Sequence, residues 1–497
     1  MQIEPRFRFP NYKHQQEEWD NHRDDDARAL LWQMRTGKTK SVIDLACYRH
    51  QKGDITGVIV LAPNGVHVNW TKRQLPMHMW EGIDLISHAW QASESHKTGH
   101  ARSLDKILTH KGNGSALAVL AVNSESLIQE KPNKVIQKFL RLHAGKCMLV
   151  VDESHDFRSP GSKRTKRVRA LKRYCRVKRI LTGTSVSNSP LAAYSQFECL
   201  DEHALGFKRF ADFEAHYAVY VTKKTRGGRS FEALEQYINL DDLQARMAKW
   251  SSVVLRKDVD DMPDLVMDPR IIPLSDDMTS KYHELLKKMI LELENGSEVE
   301  AVEGGARIIK LQQLISGWVV DSEGNIQELL TDEENPRIQG MLEDVTESDR
   351  KTIVWCKFQE DIKRVVRSLR AKGIKCVEYH GAVHSQKARQ AAIDDFNNKP
   401  EVKVFVGQPR AGGSGLDLSA ADVILWYSHT FDLIERDQAN ERATQIGGKS
   451  VTIRDYITTD SVDEYILGTL ANKRSISEEL AGAGLRDRLL ALFRAQL

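Results

Sequence analysis

The chain has 497 residues, too many for one hydrophobic core and enough for two to four domains. Its 72 Lys and Arg stand against 69 Asp and Glu, so the overall charge of +3 selects no polyanionic partner. No run approaches the ~20 apolar residues of a membrane span, and Met1-Gln2-Ile3-Glu4-Pro5 does not read as a signal peptide. The six cysteines are widely spaced, with no Cys-x-x-Cys pair for zinc or redox chemistry, and read as small core residues of a reducing compartment.

In chain order, Tyr12-Lys13-His14-Gln15 comes first, ahead of a helix-like stretch from Gln16 to Trp19. A glutamine can match both the donor and the acceptor of an adenine edge, which makes Gln15 a candidate base reader. An apolar run from Ala29 to Trp32 then enters Gln33-Met34-Arg35-Thr36-Gly37-Lys38-Thr39, and a helical pattern follows from Ser41 to Tyr48. Strand, loop and helix in that order form a phosphate-binding loop, whose backbone N–H groups and helix dipole favour anions. Lys38 is expected on the outer phosphates and the Thr39 hydroxyl on Mg²⁺. The full pattern has a glycine five residues before Gly37; this chain has Trp32.

Apolar runs and helix-length segments alternate from there. Val58 to Ala62, Asp84 to Ser87, Ala116 to Val122, Cys147 to Val151 and Arg179 to Leu181 read as strands of a parallel sheet covered on both faces. Ligands on such sheets bind at the carboxyl ends of strands, where Asp152-Glu153-Ser154-His155 and Thr182-Gly183-Thr184 fall. Asp152 can hold Mg²⁺, and Glu153 can orient or deprotonate an attacking water. Between Arg158 and Arg179 lie eleven basic residues and no acidic one, with a smaller basic loop from Lys223 to Arg229. Such a tract is either a solvated helix face or a phosphate-contacting surface.

Residues 201–273 read as helical and poor in strands, Thr279 to Leu293 as helix, Glu294 to Gly305 as a flexible loop, and Ala306 to Ile315 as helix again. The polar stretch from Asp321 to Pro336 is the candidate linker. Five further strands, Thr352 to Cys356, Lys375 to Tyr379, Val402 to Val406, Asp422 to Trp426 and Val451 to Ile457, indicate a second α/β lobe without a phosphate loop. Ser475 to Leu497 reads as an amphipathic helical tail.

The order of these clusters resembles a superfamily-two helicase, and within it the Swi/Snf-type double-stranded DNA translocases, compact bacterial and viral members above all. Gln15 matches the Q motif, Met34 to Thr39 motif I, Pro63 to Trp70 motif Ia and Asn123 to Leu127 motif Ib. Asp152 to His155 is a variant of the DEAH box, and Leu181 to Thr184 is motif III. Ala411 to Leu418 matches motif V, and Gln438 to Gly447 matches motif VI. The resemblance covers residues 12–466. It implies an α/β fold of two RecA-like lobes, at 1–200 and 346–470, with helical insertions and a linker at 201–345 and a helical tail at 471–497. It implies ATP in the cleft between the lobes, held by Gln15, Arg35, Thr36, Gly37, Lys38, Thr39, Gly415 and Asp417. Mg²⁺ would sit on Thr39 and Asp152, and catalysis would fall to Lys38, Asp152, Glu153 and Arg442. DNA, chiefly duplex, is the implied partner, and the cytoplasm of a bacterial or phage-infected cell the implied location. Two positions depart from the pattern: Arg35 replaces a loop glycine, and Gln445 replaces the second motif VI arginine. Arg442 is the preferred arginine finger, with Arg436 and Arg410 as alternatives. A strand-separating helicase and a nucleotide-gated DNA-binding switch with weak hydrolysis are the rival readings.

Overall fold

The computed structural model describes residues 3–110, 116–183, 190–224, 230–294, 301–321, 323–383, 385–412, 416–445 and 447–471. The chain divides into two compact units. One is built from residues 1–219, 236–262 and 413–415, the other from 220–235, 263–412 and 416–497.

In the first unit, helix α1 (Lys13–His22) precedes strand β1 (Ala27–Trp32), and helix α2 (Lys38–Gln51) follows it. Strands β2 (Gly57–Ala62), β3 (Asp84–Ala89), β4 (Ala116–Asn123), β5 (Cys147–Val151) and β6 (Val177–Leu181) come next. A hairpin of β7 (Ala218–Lys224) and β8 (Ser230–Tyr237), whose residues 220–235 belong to the other unit, pairs with itself, and β9 (Ser251–Val254) returns to the first unit's main sheet. That sheet is parallel, in the order β3-β4-β2-β5-β6-β1-β9. Every residue of β2 and β5 is buried, as expected of central strands covered on both faces. Leu61, Val122, Val151 and Ile180 of four strands share one core with Phe139, Phe157 and Phe197 from the covering helices.

The second unit carries β10 (Leu265–Met267), β11 (Arg270–Ile271) and a two-stranded ribbon of β12 (Trp318–Val320) and β13 (Ile326–Glu328). Its sheet adds β14 (Thr352–Trp355), β15 (Cys376–Tyr379), β16 (Val404–Gly407), β17 (Val423–Trp426) and β18 (Val451–Ile457). The order is β10-β18-β17-β14-β16-β15, and β11 also pairs with β18.

The expected α/β fold, with helix-covered parallel sheets, is therefore present in both units. The middle of the chain differs from its reading: besides the helices it holds β7 to β13. Helix Ala301–Ile315 begins inside the stretch read as a loop. The proposed linker is tied down. It contains β13, Asp332 accepts bonds from Arg364 Nε at 2.7 Å and Arg367 Nε at 2.6 Å, and Asn335 caps helix Pro336–Glu347. The expected tail from Ser475 lies outside the described residues.

Candidate nucleotide site

The phosphate loop lies between β1 and α2, and its shape requires two left-handed residues, Arg35 at φ 63° and Gly37 at φ 85°. At Gly37 a side chain is excluded twice over: the φ favours glycine, and a Cβ would lie 2.1 Å from Gln15 Nε2. Trp32, standing where the pattern has its first glycine, ends β1 with its ring turned into the core, Nε1 donating to Ser252 Oγ of β9 at 2.8 Å. The bulky residue is thus accommodated away from the loop. The Lys38 ammonium donates to the carbonyls of Trp32 at 2.7 Å and Gln33 at 3.1 Å, and the Thr36 hydroxyl donates to Gln33 O at 2.7 Å. Thr39 is in the first turn of α2.

Helix α1 begins at Lys13, earlier than the sequence pattern suggests, so Gln15 lies in its first turn. The Gln15 carboxamide is engaged by the protein at both ends. Its oxygen accepts from Tyr12 N at 3.0 Å, and its nitrogen donates to Gly37 O at 3.3 Å. His14 Nε2 donates to Thr36 O at 2.8 Å, while burial lowers the imidazole pKa. The two residues fasten α1 to the loop. His14 was not legible as a loop contact; its one signal was adjacency to Gln15.

The acidic pair ends β5. Asp152 accepts from Trp70 Nε1 at 2.8 Å on one oxygen and from Glu153 N at 3.0 Å on the other. Burial, followed by the neighbouring Glu153 charge, pushes the Asp152 acid up to about 6. Burial acts the same way on Glu153, but His155 and Lys38 outweigh it and hold that acid below its ordinary value. His155 is itself raised. Burial would lower it, yet the ion pair from Nδ1 to Glu153 Oε2 at 3.3 Å prevails. Two adjacent carboxylates are therefore driven in opposite directions, the condition under which such a pair divides its roles. Glu153 reaches this position through a left-handed backbone at φ 51°.

Gly183, from motif III, closes the group: a Cβ there would meet Met34 Cγ at 2.5 Å and stand 3.6 Å from Lys38 Nζ. Phosphate loop, acidic pair and motif III thus converge on Lys38, whereas Thr184 lies outside the described residues. The donors suit Mg²⁺ that arrives with phosphates. Among the described residues no cluster of three His, Cys, Asp or Glu could cage a metal alone. A magnesium ion that keeps waters and phosphate oxygens needs only one or two carboxylates, and each Asp152 oxygen retains a lone pair.

The basic tract divides by environment. Arg179 and Lys172 are buried, donating to Asp25 O at 2.8 Å and to Glu198 O respectively. Arg169 pairs with Glu198 at 2.8 Å. Arg158, Lys163, Lys166, Arg173 and Arg176 are exposed. Of the smaller basic loop, residues 225–229 lie outside the described residues.

Gly415 lies outside the described residues; in the second unit, Asp417 is half-buried, its side chain accepting from Ser419 N at 3.3 Å. Arg442 is buried, with Nη2 donating to Pro409 O at 3.0 Å and the guanidinium 5.2 Å from the Trp355 ring centre. Arg436 Nη2 donates to both carboxylate oxygens of Asp455, at 2.6 and 2.7 Å, with its guanidinium over the Trp426 ring, a charge-assisted structural anchor. Arg410 and Gln445 are exposed.

A family profile described as SNF2-related domain matches residues 14–316, and one described as helicase conserved C-terminal domain matches residues 336–447. The nuclear protein STH1/NPS1 of Saccharomyces cerevisiae is 25% identical over 486 residues, 92% of this chain and 33% of that protein. The uncharacterized ATP-dependent helicase MG018 of Mycoplasma genitalium is 25% identical over 339 residues, 66% of this chain and 30% of its own length. The chain thus spans about a third of the length of these relatives. Among solved structures, the Sulfolobus solfataricus SWI2/SNF2 ATPase core in complex with dsDNA aligns with 98% of this chain and 97% of that one, at 18% identity and a TM-score of 0.41. Since the SNF2-related profile alone spans residues 14–316 of the 497, the chain belongs to the SNF2-related family.

Proposed function

We propose that the protein hydrolyses ATP and uses the energy to move along DNA, chiefly duplex DNA, without separating its strands. The observation that carries the reading is the acidic pair beside Lys38, with Glu153 held ionised by His155 while Asp152 is raised. An ionised, buried carboxylate next to a phosphate-loop lysine is placed to take a proton from water. Membership of the family and the relative named as an ATP-dependent helicase support the same activity.

In this reading the triphosphate lies over the N-terminus of α2, with Lys38 and the loop N–H groups on its oxygens. Thr39 and Asp152 would hold Mg²⁺, whose charge offsets that of the phosphates. Glu153 accepts a proton as the water oxygen bonds to the γ-phosphorus; the bond to the β-bridging oxygen breaks, and ADP and phosphate leave. Gln15 and His14 keep the loop in shape. Arg442 supplies positive charge to the transferred group, the role left open by Gln445. Exposed cations of the 158–176 tract contact backbone phosphates, giving salt-dependent and sequence-independent affinity.

The test is phosphate release measured with single-stranded, duplex and branched DNA and with RNA. Stimulation by duplex DNA, abolished in Lys38→Ala and Glu153→Gln, is expected. Release of a labelled strand would replace the reading with a strand-separating helicase. Tight ATP binding with no turnover would replace it with a nucleotide-gated switch.

A further inference from the structure

The segment after β2 is helical from Val66 to His78 but not uniform: α-helical over Val66–Asn69, π-helical over Trp70–Gln74, and α-helical again over Leu75–His78. The Leu75 N–H donates to the Trp70 carbonyl five residues back. A π turn inserts a residue into the helical register and tends to persist where function uses the altered geometry. Its consequence here is a two-faced turn. Trp70 is only 2% exposed, and its indole N–H holds Asp152 Oδ2 at 2.8 Å. Lys72 and Arg73, two and three residues on, are exposed to solvent. One face of a single turn therefore holds the carboxylate that ends β5, and the opposite face offers two cations.

We infer that Trp70 is a positioning residue linking a nucleic-acid phosphate at Lys72 and Arg73 to the orientation of Asp152. This rests on the reading of the protein as a DNA-stimulated ATPase. The indole is rigid, and a displacement of the turn by an anion on its outer face moves the donor that fixes Asp152. Coupling of this kind is reciprocal: if duplex DNA alters the nucleotide site through Trp70, nucleotide alters duplex affinity by the same factor.

Trp70→Phe in the full chain tests it, since phenylalanine fills most of the space and lacks the N–H. Three quantities are compared with the parent: kcat and KM for ATP at saturating duplex, affinity for a short labelled duplex, and the change in that affinity on adding a non-hydrolysable ATP analogue. The expected result is a kcat lower by about tenfold or more with KM within about twofold. Duplex affinity without nucleotide should stay within about twofold, and the analogue-dependent change, several-fold or more in the parent, should fall close to one. A structural role alone would not separate these quantities. Retention of the analogue-dependent change in Trp70→Phe overturns the inference, as does parallel loss of duplex binding and turnover. The second variant, Lys72→Ala with Arg73→Ala, is expected to raise the duplex concentration for half-stimulation and to reduce the salt dependence of binding. No change in either would remove the outer face from the proposal. If the parent shows no stimulation by any DNA, the functional reading fails, an outcome distinct from normal stimulation that survives Trp70→Phe.

Discussion

Asp361 offers a sharp quantitative test of the second unit. It lies near the start of helix Gln359–Ala371, 1% exposed, accepting from Trp318 Nε1 at 2.8 Å and from Ser428 Oγ at 2.6 Å. It thereby ties β12 and the segment after β17 to the helix that follows β14. Burial pushes its acid from 3.8 up to about 6, against the pull of both donors and of Arg337 and Arg364. The folded protein thus binds this proton more tightly than the unfolded chain. The contribution is fully present below about pH 4 and is lost as pH rises through about 6. At pH 8 the raised acid costs about 3 kcal/mol, and at pH 5, where the folded protein holds it largely protonated, about 1–2 kcal/mol. Asp361→Asn cannot ionise. Its amide obliges Ser428 to reverse its hydrogen bond, a cost that does not vary with pH. Relative to the parent, the variant is expected to gain roughly 1–2 kcal/mol between pH 5 and pH 8. Urea unfolding at both pH values, followed by amide exchange in helix Gln359–Ala371, isolates this unit from the first. A gap between variant and parent that stays constant with pH would refute the reasoning.

Three further outcomes are expected. Arg337, 1% exposed, donates to Tyr427 O at 2.6 Å and Thr458 Oγ1 at 2.9 Å and pairs with Asp463. Arg337→Met leaves Asp463 buried and unpaired, and urea titration is expected to show a loss of about 3–5 kcal/mol in the second unit. Arg35→Gly removes a side chain from a left-handed position, and thermal unfolding is expected to show a gain of up to about 1 kcal/mol; a loss would mean that the arginine contributes contacts exceeding its strain. Arg442→Ala is expected to lower phosphate release on the order of 10³-fold with ATP binding retained, whereas Arg436→Ala, which strands Asp455, is expected to act on folding. Turnover measured beside nucleotide affinity and melting temperature separates the two cases.

The strands were legible wherever they are buried on both faces. Val58 to Ala62 and Cys147 to Val151 announce themselves as unbroken apolar runs, and their polar ends mark the site. The hairpin was not legible. Ser230–Tyr237 contains Glu, Ala, Leu and Gln, good helix formers, yet it is a strand paired with β7; tertiary pairing overrides such preferences. Charge proved equally ambiguous. Arg179 and Arg173 belong to one basic tract, but one is sealed beneath α1 on backbone carbonyls and the other is in solvent. Trp70 was visible as a motif residue, but its bond to a carboxylate 82 positions away follows only from the fold.

The same distinction sharpens the question raised by Gln445. Sequence put Arg442 first as the source of the missing charge, with Arg436 and Arg410 as alternatives. Within the second unit they are not equal. Arg436 is committed to Asp455, whereas Arg442 donates to the carbonyl of Pro409, the residue before the exposed Arg410. Motif VI thereby fixes the short 3-10 turn Pro409–Gly412 that leads into motif V. Glu435, pushed up to about 7 by burial and then by Asp432, lies within the field of both arginines, so its charge state bears on both. A buried arginine that organises an exposed one is a pair acting as a unit. Removing either member is then expected to cost about as much as removing both, a non-additivity that two independent charges would not give.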